Sequence, residues 1–242
     1  MCSSDLLSAT SPQLAGLALH DSGAGSFGSL LTLRGLANTP YFSDPAVSLA
    51  YEDIPLGSTF SYPTSLAGVT ALTLQRGAQG PNLAQGGEAG ALILHSAEPT
   101  AAATGELRIG LGDYSLRSAA LRATTKREAD GDATFALSFN QRDGYLRNVA
   151  LGREVDPQEH TAFNGRLRLR RTRALEITLQ LLGLRQRDGA QPLVPLGGPS
   201  DQVSRGREGI THTDLFGAAL KAAWTTRYGV LTATTSRTEW RL

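Results

Sequence analysis

Period-two alternation of apolar and polar residues dominates the second half of the chain. Leu107, Ile109 and Leu111 alternate with Arg108 and Gly110. Phe135, Leu137 and Phe139 alternate with Ala136, Ser138 and Asn140. Leu167 and Leu169 stand between Arg166, Arg168 and Arg170, and Ile177 and Leu179 between Glu176, Thr178 and Gln180. Residues 216–222 and 231–235 continue the series. Such alternation predicts strands with one face in an apolar medium and the other in a polar one. About seven strands are expected after residue 104, the first pair joined near Asp113 and Tyr114.

The connections alternate as well. Short ones fall at residues 127–132, 171–173 and 226–229, and long ones at 143–159 and 186–211. Short turns at one rim and long loops at the other are the pattern of a transmembrane β-barrel. Phe135, Leu137, Phe139, Leu167, Leu169, Ile177 and Leu179 are then expected to face lipid. Asn140, Arg166, Arg168, Glu176 and Gln180 are expected to face the lumen.

The first hundred residues have a different texture. Short apolar runs at 30–33, 47–51, 72–75 and 91–94 predict strands. Residues 11–19 predict a helix end leading into a strand, and Thr64 or Ser65 can cap a helical turn reaching Val69. Gly80, Pro81, Asn82, Gly86, Gly87 and Gly90 form a turn-rich hinge between the last two strands. The small residues after Pro99 mark the boundary, giving a mixed unit at 1–99 and a sheet at 104–242.

Three blocks carry a family resemblance. They are Leu31-Thr32-Leu33-Arg34-Gly35, then the stretch from Leu49 through Tyr51-Glu52-Asp53 to Gly57, then Leu74-Gln75-Arg76-Gly77-Ala78-Gln79-Gly80 followed by residues 86–94. In this order they resemble the plug domain of TonB-dependent outer-membrane receptors. Two departures are Ala78, where the family has proline, and the missing Tyr-Gly near Leu83 and Ala84. The resemblance implies an α+β plug followed by the first antiparallel strands of a barrel that does not close within this chain. Plugged transporters have about 22 strands.

It also implies an outer-membrane receptor for active uptake of a scarce nutrient such as an iron–siderophore complex, and no enzymatic step. TonB is the expected partner, through a segment preceding this chain. Tyr41, Phe42, Phe60 and Tyr62 lie in loops that, by resemblance, meet substrate. Packing of these rings against the barrel is the alternative. Arg34 and Arg76 each precede a glycine at a strand end. By resemblance they pair with glutamates on the barrel wall, beyond Leu242, since a buried arginine without a carboxylate is costly. The rival to a receptor is a secreted, soluble β-rich binding or hydrolytic protein, its strands buried in a sandwich.

Composition narrows this further. A net charge of +1 and a hydrophobic content of 40% suggest neither a nucleic-acid partner nor disorder. The arginine stripe at 166, 168 and 170 lacks the interleaved aromatics of a nucleic-acid surface and reads as lumen wall. Cys2 is the single cysteine, so an internal disulfide is excluded. Lipid attachment at Cys2 would need a preceding apolar segment, and a signal peptide is not visible, so the start is expected to be internal to a longer product. No apolar run approaches the ~20 residues of a membrane helix, which leaves barrels open. His20, His95, His160 and His212 lack ligand spacing, so neither metal nor cofactor is expected. The glycine hinge lacks the lysine and following helix of a phosphate loop. Tyr114, Tyr145, Trp224, Tyr228 and Trp240 sit near strand ends and read as an interfacial aromatic girdle.

Overall fold

The computed structural model describes residues 14–20, 30–37, 44–63, 68–78, 87–189, 194 and 196–242. The described residues are all-β apart from turns. A 3₁₀ turn at Thr59–Ser61 is the sole helical element among them, capped by the Ser58 hydroxyl, which accepts from the Phe60 amide at 3.3 Å. The helical component of the expected α+β unit is therefore not found among the described residues. Residues 17–20 are strand because Leu17 and Leu19 follow a turn at Gly16, whose φ of +79° suits glycine. The expected helical turn at 64–69 falls mostly outside the described residues, and Val69 opens a strand.

Strands β1 (Leu17–His20) and β2 (Leu30–Leu33) pair antiparallel as a small ribbon. A four-stranded mixed sheet follows, built from β3 (Val47–Tyr51), β4 (Ile54–Leu56), β5 (Val69–Arg76) and β6 (Gly90–Ser96) in the order β4-β3-β6-β5. β3 and β6 run parallel, with Leu49 opposite Leu92. All five residues of β3 are buried, as expected of a central strand covered on both faces.

The large sheet has seven antiparallel strands: β7 (Thr104–Gly112), β8 (Leu116–Thr124), β9 (Gly131–Arg142), β12 (Gln158–Arg170), β13 (Leu175–Gly189), β15 (Ile210–Thr226) and β16 (Gly229–Arg241). Neighbours follow chain order, and the edge strands β7 and β16 do not pair, so the sheet is open. The predicted turns fall within two residues of their expected places, the first at 125–130 because β9 opens at Gly131, while β13 runs to Gly189, past the expected loop start at Gln186. Within the long loops, β10 (Arg147–Asn148), β11 (Arg153–Glu154) and β14 (Gln202–Val203) form a separate three-stranded sheet. The buried Asn148 side chain ties the two loops together, accepting from the Arg205 amide at 3.1 Å and donating to the Arg205 carbonyl at 2.8 Å.

The register fixes the two faces. Phe135, Leu137, Leu167, Leu169 and Leu179 lie exposed on one, with Leu107, Ile109, Phe216 and Leu220. Phe139 and Ile177 share it by parity. Asp132, Thr134, Asn164, Arg166, Thr178 and Gln180 point the other way and are buried. The apolar band runs obliquely across the paired rows. It sits near the long-loop end of β7, at Leu111, and near the short-turn end of β15 and β16, at Trp224 and Leu231. Strands that cross a level apolar layer at a tilt produce this offset.

The small sheet packs on the polar face. Leu49, Ile54, Leu56, Leu92 and Leu94 form one core with Ala162, Leu182, Leu184, Leu215 and Ala219 of the large sheet. That face is thus partly apolar, beyond the polar lumen wall expected from alternation. Two glycines permit the approach. A Cβ on Gly68 (φ +75°) would lie 2.4 Å from the Ala136 Cβ, and one on Gly217 would lie 2.7 Å from Ile54 Cγ2.

Candidate functional site

A two-residue hairpin tip lies at the centre of the contact between the sheets. β3 ends at Tyr51, β4 begins at Ile54, and Glu52 and Asp53 make the turn. Glu52 takes φ +52°, a left-handed conformation that costs a non-glycine residue roughly 1–2 kcal/mol. It holds that conformation within a network. Its Oε1 accepts from the Ser96 amide at 2.8 Å, the Ser96 hydroxyl at 2.7 Å and Arg166 Nη1 at 3.3 Å, while Oε2 lies 3.3 Å from His95 Nδ1. Arg166 also donates to Glu98 Oε1 at 2.7 Å and to the Ala97 carbonyl at 2.9 Å. Its side chain is 5% exposed, so these bonds form away from bulk water.

Asp53 engages the next strands. Its amide donates to Gln180 Oε1 at 3.0 Å, and Gln180 Nε2 donates back to Asp53 Oδ2 at 2.8 Å. Lys221 Nζ reaches Asp53 Oδ1 at 3.0 Å. Consecutive acids at one tip thus span β12, β13 and β15. Arg168 approaches Glu98 at 3.3 Å, while Arg170 pairs with Asp132 at 2.9 Å and with Glu176 at 3.2 Å, within the large sheet. Removing Arg166, the most enclosed of these cations, leaves the largely buried Glu52 without its guanidinium.

The polarity of this contact differs from the one expected at Arg34 and Arg76. The bases stand on the large sheet and the acids on the small one. Arg34, at φ +51°, is exposed, and Arg76 donates to the Ala15 carbonyl at 3.1 Å, beside the β1–β2 ribbon. Glu52, Asp53, Glu98 and Lys221 were not singled out as contacts from sequence. Adjacent acids at a strand-ending turn were the available signal.

The expected aromatic residues separate. Tyr41 and Phe42 lie outside the described residues. Tyr62 is buried and donates to the Val47 carbonyl at 3.3 Å, and burial pushes its phenol pKa up. It is a core side chain, turned away from any ligand approaching from solvent. Tyr51 is shifted the same way, by burial first and then by the Glu52 carboxylate. Phe60 stacks on Trp240, ring centroids 5.9 Å apart and planes inclined by 19°. Trp240 therefore departs from the expected girdle. It pairs with the inward Leu215 and shares its face. Tyr114, Tyr145, Trp224 and Tyr228 are exposed near the strand ends, and Tyr114 and Tyr145 meet edge to face at 6.2 Å. Among the described residues no group of three or more His, Cys, Asp or Glu is placed to hold a metal ion.

No family model and no curated protein matches the chain by sequence. Solved structures do match. The ferric yersiniabactin uptake receptor of Yersinia pestis is similar at 19% identity and a TM-score of 0.76, covering 98% of this chain and 39% of its own. The ferripyoverdine receptor of the outer membrane of Pseudomonas aeruginosa, bound to ferripyoverdine, is similar at 13% identity and a TM-score of 0.65, with 97% and 32% covered. The copper transporter OprC is similar at 14% identity and a TM-score of 0.65, with 97% and 34% covered. The chain spans less than two fifths of the length of each.

Proposed function

We propose that this chain, whose fold is that of the TonB-dependent outer-membrane receptors, is the plug and first barrel segment of such a receptor. Residues 1–99 are the plug and 104–242 the barrel strands, inserted in the outer membrane of a Gram-negative bacterium. The receptor takes up a scarce small nutrient, an iron–siderophore complex being the first candidate, and carries out no covalent chemistry. TonB engages a segment preceding this chain. Tyr41, Phe42 and Phe60 form the substrate-facing apex, with Tyr62 buried beneath as support. Arg34 and Arg76 meet carboxylates on barrel strands outside this chain.

One observation carries the reading. The large sheet is lined on one face by a smaller sheet held through Glu52, Asp53 and Glu98, and leaves the other face a broad exposed apolar band. A soluble protein rarely exposes a patch of that extent, and a lipid-facing wall around a plug accounts for both faces at once. Uptake of radiolabelled ferric siderophores and of copper by cells expressing the full-length protein tests it. Uptake should saturate and should cease when TonB is deleted. Recovery of the protein in the soluble periplasm, or uptake indifferent to TonB, would refute the proposal.

A further inference from the structure

The lipid-facing side carries a hollow at its short-turn end. It has a volume of about 450 Å³ and is lined by Thr172, Leu175, Ala222, Trp224, Leu231 and Ala233. The register explains the shape. Leu175, Trp224 and Leu231 form one row across β13, β15 and β16, and Ile177, Ala222 and Ala233 form the next. Paired alanines beside a row of large side chains leave a recess. The Thr172 hydroxyl is turned into its own loop, accepting from the amides of Ala174 and Leu175 at 3.2 and 3.0 Å, so the recess is apolar.

The two turns that border it carry only positive charge. The turn at 171–174 contributes Arg171 and Arg173, the turn at 227–228 contributes Arg227, and neither holds an acid. The two turns are neighbours, since the Thr225 amide donates to the Ala174 carbonyl at 2.7 Å. The third short turn, at 125–130, sets Lys126 and Arg127 against Glu128 and Asp130. Arg171 and Arg173 are exposed, and no carboxylate pairs with either among the described residues. Arg227 lies over the Tyr228 ring at 4.5 Å.

An apolar recess below three uncompensated guanidinium groups has the chemistry of a lipid with an anionic head. We propose that it binds one acyl chain of an anionic glycerophospholipid, whose phosphate meets Arg171, Arg173 and Arg227. The proposal rests on the reading of this face as lipid-exposed. Each arginine near a membrane surface adds about five-fold of local preference for an anionic headgroup. Trp224, in the wall of the recess, is a built-in reporter.

The test uses full-length protein in vesicles of phosphatidylethanolamine. A small fraction of either brominated phosphatidylglycerol or brominated phosphatidylethanolamine is added at equal mole fraction. The Trp224 signal is obtained as the difference from Trp224→Phe. Brominated phosphatidylglycerol should quench it several-fold more efficiently. Arg171→Gln with Arg173→Gln and Arg227→Gln should reduce that preference to near unity and leave quenching by phosphatidylethanolamine unchanged. Ala222→Leu with Ala233→Leu should lower quenching by both lipids by filling the recess. Equal quenching of the native protein by the two lipids would overturn the site while leaving the barrel reading intact. Quenching by neither would overturn both.

Discussion

Arg166→Met removes the most enclosed cation between the two sheets. In its absence Glu52, with a side chain 11% exposed, keeps two bonds from Ser96 and its contact with His95 but loses its guanidinium. Breaking a fully buried pair costs about 3–5 kcal/mol. The bonds Glu52 retains lower this, and Glu98, 53% exposed, adds less than about 1 kcal/mol because water replaces its partner. The net expectation is roughly 2–3 kcal/mol lost from docking of the small sheet on the large one. On the proposed reading of the small sheet as a plug, urea titration of full-length protein in a planar bilayer reads this directly, since its release would open a large conductance. With a slope of about 1–3 kcal/mol/M for a small unit, the midpoint should fall by roughly 0.7–3 M. Glu98→Gln should move it much less. A double-mutant cycle with Glu52→Gln should return a coupling well above the ~0.5 kcal/mol seen between independent sites. Coupling within that limit, or a midpoint shift no larger than that of Glu98→Gln, would show that the pair does not hold the two sheets together.

Other predictions concern the wall, the buried phenols and the aromatic pair. Leu167→Arg places a charge in the lipid-facing band and should cost roughly 2–4 kcal/mol at mid-membrane in a refolding titration into vesicles; an unchanged midpoint would reverse the assigned facing. Tyr51 and Tyr62 have phenol pKa values raised by burial, so their stabilisation is fully present below the unfolded value near 10 and is lost as pH rises through the folded values. Docking of the small sheet should therefore be insensitive to these groups at neutral pH and weaken above about pH 10, and Tyr51→Phe with Tyr62→Phe should flatten that alkaline limb, as followed by the same conductance assay. With Phe60 in the substrate-facing apex proposed above, Phe60→Ala should weaken substrate affinity in titration calorimetry more than Tyr114→Ala does, and Trp240→Ala should follow Phe60→Ala, because the two rings stack. Equal effects at all three positions would separate the stack from binding.

The facing of the strands was legible because a one-residue slip would turn every leucine of β12 and β13 into the lumen. The turns were legible for a related reason: Gly229 and the residues at 171–174 interrupt the alternation sharply. Counting along β16 from the outward Leu231 also puts Trp240 on the inner side, although its place near a strand end suggested a girdle. Alternation does not report what covers the inner face. Leu182, Leu184 and Leu215 point inward as apolar residues because the small sheet lies on them. The bonds from Arg166 to Glu52 and from Lys221 to Asp53 join residues 114 and 168 positions apart. Local pattern shows that a charge needs a partner, and only the folded arrangement shows which one.

The parallel pairing of β3 with β6 has a mechanical consequence. A pull on the chain before β3, with the large sheet anchored after β6, loads these two strands at opposite ends. The pairs from Val47–Gly90 to Tyr51–Leu94 then share the load in shear and yield together. The β1–β2 ribbon is antiparallel, so tension across its two outer ends peels Leu17 from Leu33 first and opens the remaining pairs in sequence. Force arriving from the amino-terminal side would thus be relieved by unravelling the ribbon, at low tension, before the clamp at Glu52 and Asp53 is strained.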